Sequence, residues 1–285
     1  MSQFVEAPQF VDELLSILDL ERIDADQFRA PGRNTKFFFG GQMIGQALVA
    51  ATRTVDGPLA HSLHGYFLRT ANSSVAIDFK VRRIRDSRSF ATRQVDAFQE
   101  GQEIFCMFAS FSKAETGLAH QFDMPLVPPP ESLAKLTDLP HELRRDRVEK
   151  RLVDIRPVDF GALASGKAEH GVQQTWMRVP GTLPDDPALH RAVLAYVSDS
   201  RLWDTALLTL GRRCFDPDML HSASIDHAVW FHRAFRADEW LLFHQETPSV
   251  ADARGYNRAS VYSRDGRLVA SVTQENLIRI VSPAR

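Results

Sequence analysis

One aspartate, Asp199, falls on a helical stripe of otherwise apolar residues in the second half of the chain. The stripe includes Ala192 and Tyr196, and helical spacing extends it to Asp199 and then Trp203. A carboxylate on a buried stripe is costly unless it is hydrogen-bonded, and the helix dipole disfavours negative charge late in a helix. Two local rules are broken together at one residue, which is typical of functional positions. Two interpretations stay open: Asp199 is functional, or the helix ends at Ser198 and Asp199 caps the next turn.

A second polar anomaly is Gln274. Three residues share its parity on the predicted strand, and all are apolar: Leu268, Ala270 and Val272. Either this amide serves a function, or the strand ends and turns into solvent near Glu275. Ser224 lies on the strand that leads into an aromatic pair, and alone it carries little signal.

Several kinds of functional site are disfavoured because their sequence motifs are absent or incomplete. The chain has no Gly-x-Ser-x-Gly elbow, which disfavours an α/β-hydrolase nucleophile. The glycines Gly40 to Gly45 are not followed by Lys-Ser/Thr, so they form no phosphate loop. The pairs His61/His64 and His227/His232 lack helical ligand spacing and matching cysteines. We therefore expect neither a metal nor a cofactor.

The chain contains two copies of one pattern. The segments His61–Arg69 and Ile225–Arg233 are strand-like, with adjacent aromatics and an arginine three residues after the first ring; Tyr66 and Trp230 are 164 residues apart. Further on, Arg93 followed by Glu100-Gly101 matches Arg258 followed by Asp265-Gly266 at an offset of 165. These copies are too long for a solenoid repeat, so two similar domains in tandem are predicted.

Each copy is predicted to contain a strand, a helix and a four-strand antiparallel run. In the first copy Gly40 and Gly41 introduce the helix, and the predicted strands cover 61–69, 75–83, 90–99 and 102–112; Leu20 to Ala30 is predicted as one earlier strand. In the second, Asp186-Pro187 begins the helix, and strands run near 222–233, 240–246, 254–263 and 267–278.

The chain is predicted to divide into a first domain at 1–112, a linker at 113–150 with a solvated helix, and a second domain at 151–285. Since such a sheet has one face to bury and the helix can cover it, the class is α+β, with each helix wrapped by a curled antiparallel sheet.

The composition and the terminal sequences indicate which partners are excluded and which compartment is expected. The formal net charge of −2 gives no strong electrostatic field that would attract nucleic acid or anionic lipid. The sequence has no 18-residue apolar run that would span a membrane. The N-terminus lacks a secretory pattern, and the final Ser-Pro-Ala-Arg does not match the peroxisomal Ser-Lys-Leu signal. Cys106, in an apolar strand, is predicted to be a buried free thiol. These features predict a cytoplasmic protein.

Long motifs resemble acyl-CoA thioesterase II, a family of double-hotdog acyl-CoA hydrolases. The matching segments, in chain order, are Phe39-Gly-Gly-Gln42 with Gly45-Gln46-Ala47, His64–Arg69, Ile225–Arg233 with Trp240-Leu-Leu242, and Leu268–Glu275. The match covers nearly the whole chain except the linker. It implies a double hotdog made of two tandem units, hydrolysis of acyl-CoA thioesters, and a homo-oligomer, either dimer or tetramer.

The resemblance also implies the site residues. The catalytic Asp of the family falls on Asp199, its Gln on Gln274, and its Thr on Ser224. Serine keeps the hydroxyl but lacks the methyl group that restricts the rotamer, so looser positioning is expected. In these roles Asp199 accepts a proton from water while Ser224 and Gln274 hold that water in line, and no covalent intermediate is needed.

Backbone amides near Gly40 and Gly41, at a helix N-terminus, are predicted to stabilise the oxyanion.

Two alternatives to the thioesterase function remain. One is a hotdog-fold enoyl-CoA hydratase with an Asp-x4-His pattern, which Asp56/His61 and Asp216/His221 have; both pairs begin in loops. The other is a non-catalytic acyl-CoA-binding protein, which would have no use for a buried carboxylate.

The two copies differ at the site. The offsets carry Gln274 back to Ala109 and Ser224 back to Ala60. The first copy is therefore predicted to have lost the polar groups that the second retains.

Overall fold

The fold is described from a computed structural model, which covers residues 7–35, 37–138, 152–165, 171–212 and 219–280. The helix predicted in the linker near 142–151 lies wholly outside these residues. The described helices are α1 (Ala7–Leu18), α2 (Gly40–Thr52), α3 (Phe160–Ser165), α4 (Pro187–Ser198) and α5 (Asp204–Thr209). None of them is long and apolar enough to cross a membrane.

The strands in the described residues form one antiparallel sheet. They are β1 (Glu21–Asp24), β2 (Gln27–Ala30), β3 (Leu59–Phe67), β4 (Ile77–Asp86), β5 (Phe90–Gln99), β6 (Gln102–Ser112), β7 (Asp154–Pro157), β8 (Val172–Arg178), β9 (Met219–Ser224), β10 (Asp226–Phe231), β11 (Leu241–Ala251), β12 (Arg254–Ser263) and β13 (Leu268–Ile280). Their order is β1-β2-β4-β5-β6-β3-β10-β13-β12-β11-β8-β7, and β9 also pairs with β13. The sheet is continuous across both copies because β3 pairs with β10 at its centre.

Helices α2 and α4 pack against each other. Helix α2 also contacts strands β2 to β6, so its apolar residues are buried in the main core. Helix α4 begins as predicted, because the Asp186 carboxylate accepts a hydrogen bond from the Ala188 amide at 2.9 Å. The helices approach closely at Gly45, where a Cβ would lie 3.2 Å from the Ala192 carbonyl oxygen.

Strand pairing confirms the repeat and corrects one part of it. His64 faces Phe108 in the first copy, and Ala228 faces Thr273 in the second, which reproduces the offsets of 164 and 165. Gln274 therefore does correspond to Ala109. The alignment of Arg93 with Arg258 was wrong by one residue. Arg93 faces Ala109 whereas Asn257 faces Gln274, so Arg93 corresponds to Asn257.

Some predicted strands are interrupted. Leu20–Ala30 forms the two strands β1 and β2, whose register shifts between Arg22 and Asp24. The strand predicted near 222–233 is divided at Ile225 into β9 and β10. Strand β3 has a register shift at the corresponding place, between Ala60 and Ser62. Ala60 faces Phe111 and Ser224 faces Asn276, so the equivalence of Ser224 with Ala60 holds.

Cys106 was predicted to be buried, and this is wrong. It alternates with the inward-facing Phe105 and Met107 on β6, so its thiol lies on the outer face and is half-buried. Partial burial raises the pKa of this thiol, and Glu103 adds to the effect.

Candidate active site

Asp199 lies at the end of α4, with its carboxylate directed to the start of the neighbouring helix. Helix α4 ends at Ser198, as one of the two interpretations required, and Asp199 is its C-cap. Its carboxylate is not turned out into solvent, because Asp199 is only 7% exposed. Instead Asp199 Oδ2 accepts a hydrogen bond of 2.9 Å from the Gly41 amide, in the first turn of α2. The positive end of α2 thus offsets the unfavourable position at the end of α4.

Two glycines make this approach possible. A Cβ on Gly40 would lie 2.8 Å from Asp199 Oδ2, and a Cβ on Gly41 would lie 2.1 Å from the Tyr196 carbonyl oxygen. Both distances are too short for non-bonded atoms, so Gly41 is required for the end of α4 to meet the start of α2, and Gly40 leaves room for the Asp199 carboxylate.

Gln274 lies within β13, fully buried, so the alternative that the strand turns into solvent is wrong. Its Nε2 donates to Asp199 Oδ1 at 2.5 Å and to Ser224 Oγ at 2.7 Å. Its Oε1 is buried and has no hydrogen-bond partner among the residues that the structure describes. A buried acceptor without a partner is costly, and a water or substrate group in the site would satisfy it.

Ser224 completes the group of three. Its hydroxyl donates to Asp199 Oδ1 at 3.3 Å and accepts from Gln274 Nε2. The structure thus brings together the three side chains that the sequence singled out, although they come from a helix end and two different strands. The cluster has one carboxylate with donors on both oxygens and one open amide acceptor, an arrangement that can hold and deprotonate a water.

A buried histidine supports the end of α4. His227 Nε2 is hydrogen-bonded to Ser198 Oγ at 2.8 Å, and Ser198 Oγ also donates to the Ala195 carbonyl at 3.0 Å. Since the single hydroxyl proton goes to Ala195, Nε2 of His227 must carry a proton and act as the donor. Burial, with a smaller effect of nearby His64, lowers the pKa of His227 to about 3.

Asn257 and Asn276, which lie beside Ser224 and Gln274, were not predicted as site residues. Both are buried, and Asn276 Nδ2 donates to Ser224 Oγ at 3.4 Å. The parity rule that identified Gln274 would have found them, because Asn276 shares its face and Asn257 shares a face with Ala259 and Val261.

The other candidate groups are not part of this cluster. Asp56 lies in the loop after α2, not on a helix, and the side chain of His61 is hydrogen-bonded to that of Ser110 on β6. Asp216 lies outside the described residues. Among the residues that the structure describes, no group of three or more His, Cys, Asp or Glu side chains is placed to hold a metal ion.

Comparisons with known proteins agree with this architecture. A family model described as acyl-CoA thioesterase matches residues 143–277, and one described as acyl-CoA thioesterase N-terminal domain matches 30–112. Acyl-coenzyme A thioesterase 8 of Homo sapiens is 36% identical, over 93% of this chain and 88% of that protein. Acyl-CoA thioesterase 2 of Haemophilus influenzae is 33% identical, over 94% of this chain and 98% of its own.

A solved structure shows the same fold. The crystal structure of an acyl-CoA thioesterase II from Mycobacterium marinum is 42% identical to this chain, with a TM-score of 0.80, and covers 96% of this chain and 99% of its own. The double-hotdog prediction is thereby confirmed.

Proposed function

Because this chain belongs to the acyl-CoA thioesterase family and hydrolyses acyl-CoA thioesters, we propose that Asp199, Ser224 and Gln274 activate the attacking water. The observation that carries the proposal is the convergence on one carboxylate. Asp199 Oδ1 accepts hydrogen bonds from the side chains of Gln274 and Ser224, and Oδ2 accepts one from the Gly41 amide. A carboxylate fixed at both oxygens is held ready to accept a proton with little reorganisation.

The water donates one hydrogen bond to Asp199 and the other to Gln274 Oε1, an acceptor for which the described part of the chain offers no partner. As the water oxygen bonds to the thioester carbonyl carbon, its proton passes to Asp199. The tetrahedral intermediate then breaks its carbon–sulfur bond, releasing the fatty acid and the CoA thiolate, which takes up the proton. A thiolate leaves readily, so an activated water suffices and no covalent acyl-enzyme forms.

The oxyanion role of Gly40 and Gly41 remains a proposal, and the contacts favour one of the two. The Gly41 amide already donates to Asp199, and the Gln42 amide donates to the Phe39 carbonyl at 3.1 Å. We therefore assign the substrate carbonyl oxygen to the Gly40 amide at the start of α2, where the helix dipole also favours negative charge. Gly41 serves to hold Asp199.

The test is Asp199→Asn, assayed by thiol release from palmitoyl-CoA with a thiol-reactive dye. Asparagine keeps the shape of the side chain but cannot accept the proton, so turnover should fall by about 10²–10⁴-fold. The matched control is Asp238→Asn, since Asp238 is a similarly buried carboxylate that pairs with Arg236 away from the cluster. Full turnover by folded Asp199→Asn would refute the role of Asp199 as the base and would leave the thioester hydrolysis itself to another group.

Three other expectations also remain proposals: the division into 1–112, 113–150 and 151–285, a homo-oligomeric state of dimer or tetramer, and a cytoplasmic location. The matched ranges of the two family models, 30–112 and 143–277, support a division near the proposed linker. Light scattering after size-exclusion chromatography would distinguish a dimer from a tetramer.

A further inference from the structure

A chain of buried hydrogen bonds ends at the carboxylate of Asp199. Thr247 Oγ1 donates to Asn257 Oδ1 at 2.7 Å, and Asn257 Nδ2 donates to Asn276 Oδ1 at 2.8 Å. Asn276 Nδ2 then donates to Ser224 Oγ at 3.4 Å, and Ser224 Oγ donates to Asp199 Oδ1 at 3.3 Å. Every bond runs in the same direction, from the half-buried Thr247 towards Asp199.

The direction of this chain is fixed by its first members. Thr247 donates to Asn257 Oδ1, and the Gly255 carbonyl accepts a second bond from Asn257 Nδ2 at 3.3 Å. This orients the amide of Asn257, which in turn orients the amide of Asn276. Since side-chain amides do not readily pass protons on, the chain is suited to holding groups in place and not to transporting protons.

Ser224 is the member that needs such support. Without the methyl group of a threonine, its χ1 angle has no steric preference of the β-branched kind. Two amides, from Gln274 and Asn276, donate to its oxygen, so its one proton must be given elsewhere, and Asp199 is the acceptor within reach. The amides thus select the hydroxyl orientation that serves Asp199 or its water.

The first copy indicates that the fold itself does not require these asparagines. Strand pairing makes Phe111 the counterpart of Asn276, and Arg93 the counterpart of Asn257. Phe111 is fully buried, so the position ordinarily accepts an apolar side chain. The asparagines occur in the copy that carries the acid, the amide and the hydroxyl.

We propose that Asn276, oriented by Asn257, is a positioning residue that fixes the Ser224 hydroxyl towards Asp199. It replaces through hydrogen bonding the rotamer restriction that a threonine would supply through its methyl group. This inference rests on the proposed function of Asp199, Ser224 and Gln274.

The test compares Asn276→Leu in three backgrounds, with kcat and KM for palmitoyl-CoA measured in each. In the native background kcat should fall about tenfold, the value of one neutral hydrogen bond, with KM unchanged. In the Ser224→Thr background the loss should be less than about threefold, because the methyl group now restricts the rotamer. In the Ser224→Ala background Asn276→Leu should cause no further loss, because the residue acts through a hydroxyl that is absent.

The matched control is Gln245→Leu, which removes another fully buried amide of the same sheet that is not a member of this hydrogen-bond chain; its kcat should stay native. If Asn276→Leu does not fold, Asn276→Ser, whose hydroxyl is too short to reach Ser224, takes its place. Equal losses in all three backgrounds, or a native kcat in folded Asn276→Leu, would overturn the inference. Failure of the proposed function looks different, since Ser224→Ala alone would then keep full turnover.

Discussion

Gly40 is the residue whose lack of a side chain matters most directly for Asp199. A Cβ there would lie 2.8 Å from Asp199 Oδ2 and 3.1 Å from the Phe67 ring, and both atoms belong to side chains that can shift. We expect Gly40→Ala to fold with a melting temperature near that of the native chain while losing at least tenfold in kcat, because the carboxylate is displaced. Thiol release and thermal unfolding measure the two quantities.

A control for this substitution is Gly117→Ala, since no atom lies within 4 Å of a Cβ at Gly117. It should leave both quantities unchanged. The neighbouring Gly41→Ala is a different case, because its Cβ would meet the fixed Tyr196 carbonyl, and it should reduce stability as well as turnover. If Gly40→Ala keeps native kcat, the close approach to Asp199 has no catalytic importance.

Sequence alone could identify the unusual residues but not their partners. Gln274 interrupts an apolar face, and Asp199 extends an apolar stripe, so both could be found from periodicity. The contact that explains Asp199 joins it to Gly41, which lies 158 positions earlier in the chain. No local pattern contains that information, because it depends on how α2 and α4 pack. Ser224 has no such signal and was identified only by resemblance.

At the scale of secondary-structure elements, His227 couples β10 to the end of α4. Its bond to Ser198 lies next to Asp199, and its pKa is lowered to about 3, chiefly by burial. In the unfolded chain this histidine takes up a proton near pH 6.5. The stability that neutral His227 contributes is therefore present above pH 6.5. It is lost as pH falls from 6.5 towards 3, by up to about 1.4 kcal/mol per pH unit.

The corresponding prediction concerns His227→Gln, which does not titrate and can still donate to Ser198. The substitution should lower the melting temperature at pH 7.5 and flatten its decline between pH 6.5 and 4.5. Burial also lowers the pKa of His232, which is more exposed, so His232→Gln is the control and should flatten the decline less. Parallel pH profiles for the native chain and His227→Gln would contradict the assignment.

Element boundaries could be predicted wherever the local signals were strong. Asp186-Pro187 begins α4, and β5, β6 and β12 have the predicted bounds, with the turns Glu100-Gly101 and Asp265-Gly266 marking where β5 and β12 end. The register shift at Ile225 could not be predicted, since nothing in its sequence differs from an ordinary strand. The one-residue error at Arg93 has a similar origin, because an arginine next to an asparagine can be aligned in two ways, and only strand pairing decides between them.

At the scale of the whole molecule, the two copies share one scaffold but form one site of the proposed kind. The counterparts of Gln274 and Ser224 are Ala109 and Ala60, and Arg93 fills the place of Asn257. The guanidinium of Arg93 donates to both the hydroxyl and the carbonyl of Thr54, just after α2. The first copy still contributes to the site in the second, because Gly41 holds Asp199.

This sharing predicts that the two copies unfold together. Strand β3 pairs with β10, α2 packs against α4, and most of the buried apolar residues form one cluster with members from both halves. Phe79 on β4 is fully buried in the first copy, and four strands separate β4 from β13, which carries Gln274. Phe79→Ala should cost about 3–5 kcal/mol and lower the temperature of a single calorimetric transition. Because the site needs both copies, thermal loss of thiol release should shift with that transition; two transitions, of which only one moves, would show instead that the copies are independent domains.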